Sequence, residues 1–262
     1  MIVDCHTHVW PDAVAKRALA GSVRDLPRRG DGTVGDLAAS MDKAGVDRAI
    51  CLGIGNTPPQ VDKANRFAAG LDSSRFTGFG SVHPGLSVEE NVAGLRAHGL
   101  RGVKIHPMFQ QLELDDPRLG AVLDALQGEF AVIVHVGAAG EDPGNRCTPE
   151  MLARIVREFP RLDLIACHFG GYRMFDRALE VVCGLPVYLD TSWPPGLASL
   201  DPGRVRDLIR RHGADRVVFA SDWPMADQGA EVEAIRALGL TEDETDAVLG
   251  GNAAGLLGLD KQ

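Results

Sequence analysis

Ionisable side chains interrupt several otherwise apolar runs of the chain: His6 and His8 in 2–8, Lys104 and His106 in 102–107, His135 in 132–137, His168 in 162–169 and Asp222 in 216–222. A buried charge or imidazole needs a partner. His6 and His8 are two positions apart, so on an extended strand their imidazoles leave the same face and can reach one cation. Three neutral imidazoles (His6, His8, His135) and the Asp222 carboxylate make a mixed nitrogen and oxygen shell. Such a shell suits one divalent metal, Zn²⁺ first, with Mn²⁺, Fe²⁺ or Co²⁺ as further candidates. The plainer alternative is a set of packed, hydrogen-bonded core histidines, and for His168 a purely structural histidine.

Positioning such residues requires strands that end together. Eight apolar runs fit strands at 2–8, 48–54, 76–82, 102–107, 132–137, 162–169, 187–192 and 216–222. Amphipathic stretches lie between them at 34–44, 58–71, 88–98, 117–127, 149–159, 174–183, 202–212 and 228–238, and two helix-like segments follow at 242–249 and 252–259. Thr57-Pro58, Asp116-Pro117, Thr148-Pro149 and Asp201-Pro202 read as capping residues with proline in the first helical turn. Eight alternations over 262 residues predict a single (β/α)8 TIM barrel occupying residues 1–262, with the ionisable residues at the carboxyl ends of its strands, where active sites of that architecture sit. A doubly wound sheet is the competitor, but no Gly-x-Gly-x-x-Gly follows the first strand. The long connection 9–33 is expected to be a loop or lid.

Composition narrows the partners. Asp plus Glu exceed Lys plus Arg for a net charge of −9, which argues against nucleic-acid and anionic-membrane surfaces. No apolar stretch approaches a membrane span, no export signal is visible, and five cysteines without paired spacing predict no disulfides, so a cytosolic protein is expected. Among the remaining candidates, Asp190 and Ser192 share a strand face from which they would touch substrate, and Trp10, Trp193 and Trp223 would wall a pocket. His83 is expected to shape its loop and Asn252 to cap a helix, while His98 and His212 suit helix ends.

Asp4-x-His6-x-His8, Gly102-Val103-Lys104-Ile105-His106-Pro107, His135, Cys167-His168-Phe169-Gly170-Gly171, Ser221-Asp222-Trp223-Pro224 and Gly251-Asn252-Ala253-Ala254-x-Leu256-Leu257-Gly258-Leu259 occur in that order. Together they resemble the amidohydrolase superfamily, and within it the amidohydrolase-2 branch related to aminocarboxymuconate semialdehyde decarboxylase. The resemblance covers 2–259 and implies a mononuclear centre with His6, His8, His135 and Asp222 as ligands. His168 is then the catalytic acid or base beside the activated water, Asp222 a second proton acceptor, and Lys104 and His106 contacts for a substrate carboxylate or carbonyl. Binuclear relatives carry a carbamylated lysine at the position of Lys104, which is the less favoured alternative and would make His168 a ligand of a second metal. The first strand starts at residue 2, so the flanking β-sandwich of the urease-like branches is not expected.

The expected function is metal-dependent hydrolysis of an ester, lactone or amide bond in a small organic molecule, an acid among the candidates, by a metal-activated water. The first alternative is a lyase that decarboxylates or hydrates a small carboxylic acid at the same centre. The second is a non-catalytic barrel subunit with an inert metal site. By the same resemblance a homodimer is expected.

Overall fold

The computed structural model describes residues 1–22, 26–137 and 144–259. Eight short strands alternate with helices: β1 (Val3–Thr7), β2 (Arg48–Leu52), β3 (Phe76–Ser81), β4 (Gly102–Ile105), β5 (Ala131–Val134), β6 (Leu164–Ala166), β7 (Tyr188–Asp190) and β8 (Val217–Val218). They form one sheet whose order follows the chain from β1 to β8, the parallel (β/α)8 arrangement of a TIM barrel. Their sequences are apolar runs because helices cover such sheets on one side and side chains fill the other.

The chain divides into two compact units. The first comprises Met1–Cys51, Asp72–Thr77 and Asp190–Gln262. Here β1 pairs with β2 through Val3 and Arg48, and the Cys5 N–H donates to the Phe219 carbonyl (2.9 Å), so the first and last strands of the chain adjoin. The Thr191 N–H donates to Val218 and the Phe219 N–H to Val248, tying strand ends and the tail together. Val3, Cys5, Ile50, Val217 and Phe219 are wholly buried, as are Leu37 and Met41, which lie one turn apart on the helix Val34–Ala44.

The second unit comprises Leu52–Leu71 and Gly78–Leu189. Its ladder runs from β3 to β7 in continuous register, with Lys104 opposite Ser81 and Ile133. Leu119, Val122, Leu123 and Leu126 form the buried stripe of the helix Pro117–Leu126, and Leu152, Ile155 and Val156 that of Pro149–Glu158. Gly78 allows the closest approach: a Cβ there would stand 2.0 Å from the Ala68 carbonyl oxygen.

Helix starts follow the sequence closely, with one exception among the four Pro-led caps. Asp116, Thr148 and Asp201 accept hydrogen bonds from the backbone N–H groups of Arg118, Met151 and Arg204. Thr57 makes no such bond. Asn252 does not cap a helix either: its backbone is helical, and its amide donates to the carbonyls of Ala214 and Val217, both at 2.7 Å. The connection 9–33 contains a helix, Asp12–Ser22, where a loop or lid was expected, and its residues 23–25 lie outside the described set.

Every strand ends before its apolar run does, and after β6 and β8 the chain soon turns left-handed. β6 stops at Ala166 because His168 and Phe169 both turn left-handed (φ 59° and 53°), and β8 stops at Val218, with Asp222 left-handed (φ 62°). Left-handed backbone cannot continue a ladder, so local polarity and the needs of tertiary hydrogen bonding overrode β-propensity at both places.

Candidate metal centre

In the first unit, β1 carries His6, the residue directly after its end is His8, and the segment after β8 carries Asp222. The Asp222 N–H donates to the His6 carbonyl (2.9 Å) and the His8 N–H to that of Trp223 (2.8 Å), which fixes the two segments against each other. The side chains then converge. His6 Nε2 lies 3.1 Å from His8 Nε2 and 3.3 Å from Asp222 Oδ1, and His8 Nε2 lies 3.5 Å from the same oxygen. Ligands bound at the usual zinc distances of 2.0–2.2 Å in a tetrahedron stand about 3.3 Å apart. The donor triangle therefore has the size that a small divalent cation requires, and the residues fit the metal.

Asp190 and Ser192 do not face substrate as expected from their shared strand face. Both are fully buried, and Asp190 Oδ2 meets His6 Nδ1 at 2.8 Å while the Ser192 hydroxyl lies 3.2 Å from the same nitrogen. Ser192 Oγ–H donates to Asp190 Oδ1 (2.6 Å). A carboxylate at Nδ1 keeps the proton there and leaves the Nε2 lone pair for a cation. The alternation of Asp190 and Ser192 on one strand was the available signal, but the sequence does not say which histidine lies opposite.

Asp4 underlies the same segment. Its Oδ1 accepts from the His6 and Ser221 N–H groups (3.1 and 3.0 Å), and its Oδ2 accepts from Ser221 Oγ–H (2.6 Å) and Gln228 Nε2 (2.8 Å). Burial pushes this carboxyl up to about 6 despite those four donors. Nearby, Glu231 accepts, among the described residues, from the Leu197 N–H alone (3.0 and 3.2 Å), and burial raises it to about 7. Trp223 is buried against Gly30, where a Cβ would stand 2.3 Å from the indole, and Trp10 stacks at 6.0 Å from His8.

The second unit holds the other expected residues. His106 is sandwiched between Phe109 and His135, with ring centroids 3.9 and 4.0 Å apart and near-parallel planes. His135 Nε2 lies 2.9 Å from the Gly137 carbonyl, which assigns the proton to that nitrogen, and its Nδ1 faces His168 Nε2 at 3.1 Å. The two imidazoles can share a proton. Lys104 is completely buried, and its Nζ donates to Cys167 Sγ (2.8 Å) rather than to a carboxylate. The His83 ring accepts from the Gly85 N–H (2.9 Å) and shapes its loop as expected. His98, at the end of the helix Val88–Ala97, meets Asp62 Oδ1 at 3.1 Å.

Residues 3–259 match the amidohydrolase family model, and the chain belongs to that family. It is an amidohydrolase-type enzyme. Solved structures share the fold at low identity. An uncharacterized TIM-barrel protein from Bordetella bronchiseptica aligns with a TM-score of 0.78 and 20% identity over 100% of this chain and 99% of that one. A probable 2-pyrone-4,6-dicarboxylic acid hydrolase from Acinetobacter baumannii, with citric acid bound, aligns with a TM-score of 0.69 and 16% identity over 98% and 99%. A dihydroxybenzoic acid decarboxylase from Polaromonas sp., with bound manganese and the inhibitor 2-nitroresorcinol, aligns with a TM-score of 0.71 and 16% identity over 99% and 97%.

Proposed function

We propose that the protein is a metal-dependent hydrolase that cleaves an ester, lactone or amide bond of a small organic acid. The observation that carries this reading is the triangle of His6 Nε2, His8 Nε2 and Asp222 Oδ1, with edges of 3.1, 3.3 and 3.5 Å and Asp190 behind His6. The family resemblance adds His135 as the fourth ligand, His168 as the proton-transfer group, and Lys104 and His106 as substrate contacts. His6, His8 and Asp222 would hold a divalent cation there, zinc first and manganese as the neighbouring decarboxylase holds, and when bound it would supply Lewis acidity that lowers the pKa of a water toward neutrality.

The chain's own residues divide the remaining work. Asp190 holds the proton on His6 Nδ1, so that His6 presents a lone pair at Nε2. Gly137 does the same at His135 Nε2, leaving Nδ1 for a cation or for the His168 proton. His168 then takes a proton at Nε2 as the nucleophile forms and returns it to the leaving group, and Asp222 is a second acceptor. The same reading expects a cytosolic enzyme, a homodimer, with a small-molecule substrate and no nucleic-acid or membrane partner. Among the described residues no helix is long and apolar enough to cross a membrane.

The decarboxylase from Polaromonas keeps lyase chemistry as the second reading, at the same centre. A panel of chromogenic esters, lactones and amides, run beside carbon dioxide release from aromatic and muconate-like acids, separates the two. Hydrolysis without carbon dioxide release supports the hydrolase, and the reverse selects the lyase. Purified protein is expected to hold about one equivalent of transition metal per chain, and His135→Ala to lose it while staying folded. Full occupancy in that variant would remove His135 from the ligands, and a metal-free, chelator-indifferent wild type would leave an inert barrel.

A further inference from the structure

The turn after Gly170 spends conformational energy on a side chain. The Met174 N–H donates to the Gly171 carbonyl (2.8 Å), closing a four-residue turn in which Tyr172 and Arg173 are central. Arg173 has a φ of 58°. Glycine or asparagine is the usual occupant of a third turn position with positive φ, since a Cβ is crowded there. The turn is also rigidly seated: the Tyr172 N–H donates to the Val136 carbonyl (2.9 Å), and Gly137 pairs with Tyr172 so closely that a Cβ on it would stand 2.3 Å from the Tyr172 nitrogen. Strain that surrounding structure fixes in place points to a use for the residue that bears it.

Among the described residues, the contact of this side chain is with its neighbour Tyr172. Arg173 is exposed and, among the described residues, pairs with no carboxylate, in a protein with an excess of acids. Its guanidinium carbon stands 5.4 Å from the centroid of the Tyr172 ring, whose centroid is in turn 5.2 Å from that of His168. An aromatic platform of this kind limits the reach of the arginine, and among the described residues its N–H groups meet no carboxylate. We propose that Arg173 is the specificity residue for a substrate carboxylate remote from the scissile bond, held one ring away from His168. A planar guanidinium offers that carboxylate two parallel N–H donors. The inference rests on His168 belonging to the active site, as the proposed function holds, and adds that substrates carry an anionic group at a fixed distance from the reacting carbonyl.

Arg173→Gly supplies a test that a merely structural role would not pass, because it relieves the backbone strain while removing the side chain. Metal-loaded wild type, Arg173→Gly and Arg173→Lys are compared on 4-nitrophenyl acetate, which is neutral, and mono-4-nitrophenyl glutarate, which is anionic. The ratio of kcat/KM for the anionic over the neutral ester is expected to fall about tenfold in Arg173→Gly and less in Arg173→Lys, with the melting temperature of Arg173→Gly equal to or above that of wild type. An unchanged ratio overturns the proposal. Calorimetric binding of glutarate to the same three proteins gives a readout that does not need turnover: about tenfold weaker binding in Arg173→Gly supports the assignment, and equal binding, or none to wild type, overturns it. Absence of hydrolysis of either ester with intact Arg173-dependent glutarate binding would defeat the hydrolase reading alone.

Discussion

A histidine that is to hold a cation must present one nitrogen and keep a proton on the other, and in the proposed centre Asp190, 2.8 Å from His6 Nδ1, would do this for His6. Asp190→Asn keeps the shape but replaces the carboxylate with a neutral group, so metal affinity is expected to fall about 10- to 100-fold. Competition against a chelator of known affinity measures this, and the metal-free variant should melt close to metal-free wild type. Glu231 makes a different prediction. Its burial raises it from an ordinary glutamate to about 7, so the folded state takes up a proton that the unfolded chain releases. The penalty for charging it is absent below its unfolded pKa and complete above about pH 7, so stability falls as pH rises across that window, by on the order of 3 kcal/mol. Glu231→Gln keeps an acceptor for the Leu197 N–H and should flatten that slope in denaturant titrations at a series of pH values. Of these residues the sequence showed the candidates that bind through one side chain, His6, His8 and Asp222, because ionisable groups stand out in apolar runs. It could not show that Asp190 serves His6, since their meeting depends on how distant strands align.

Helices were legible because their caps are local chemistry. Thr148 accepts from the Met151 N–H at 3.3 Å, whereas Thr57, in the same Thr-Pro context, accepts from no helix N–H. Thr148→Ala is therefore expected to cost about 1 kcal/mol and Thr57→Ala less than about 0.5 kcal/mol, read from paired thermal or denaturant melts. Equal costs would show that the proline at the first helical position, and not the hydroxyl, carries the start. Strand ends were harder to read. The runs 162–169 and 216–222 are apolar enough for long strands, yet the chain leaves the ladder at Ala166 and Val218 and turns left-handed at His168, Phe169 and Asp222. Those three residues sit where polar contacts outside the strand decide the backbone, and no local pattern encodes that. Asn252 shows the same limit in the tail, where an expected cap instead bridges two carbonyls of Ala214 and Val217.

At the scale of the molecule, the alternation and the strand order followed from spacing, because each βαβ step has a narrow range of lengths, whereas the family was carried by the ordered motifs from Asp4-x-His6-x-His8 onward. A cation that binds the folded chain and not the unfolded one adds stability in proportion to the logarithm of its concentration. Metal at about 100 times its dissociation constant should contribute about 2.7 kcal/mol, so a chelator is expected to lower the melting temperature of wild type and to leave that of a His6→Ala variant nearly unchanged. Equal shifts in both would place the stabilising ion elsewhere. The backbone bond from Asp222 to His6 has a temporal side as well. Under the proposed ligand set, a chain emerging from the ribosome would expose His6 and His8 long before Asp222 is synthesised, so stable loading of an ion would wait until translation has passed the last strand. Maturation would then be a late event, completed only as the polypeptide closes upon itself.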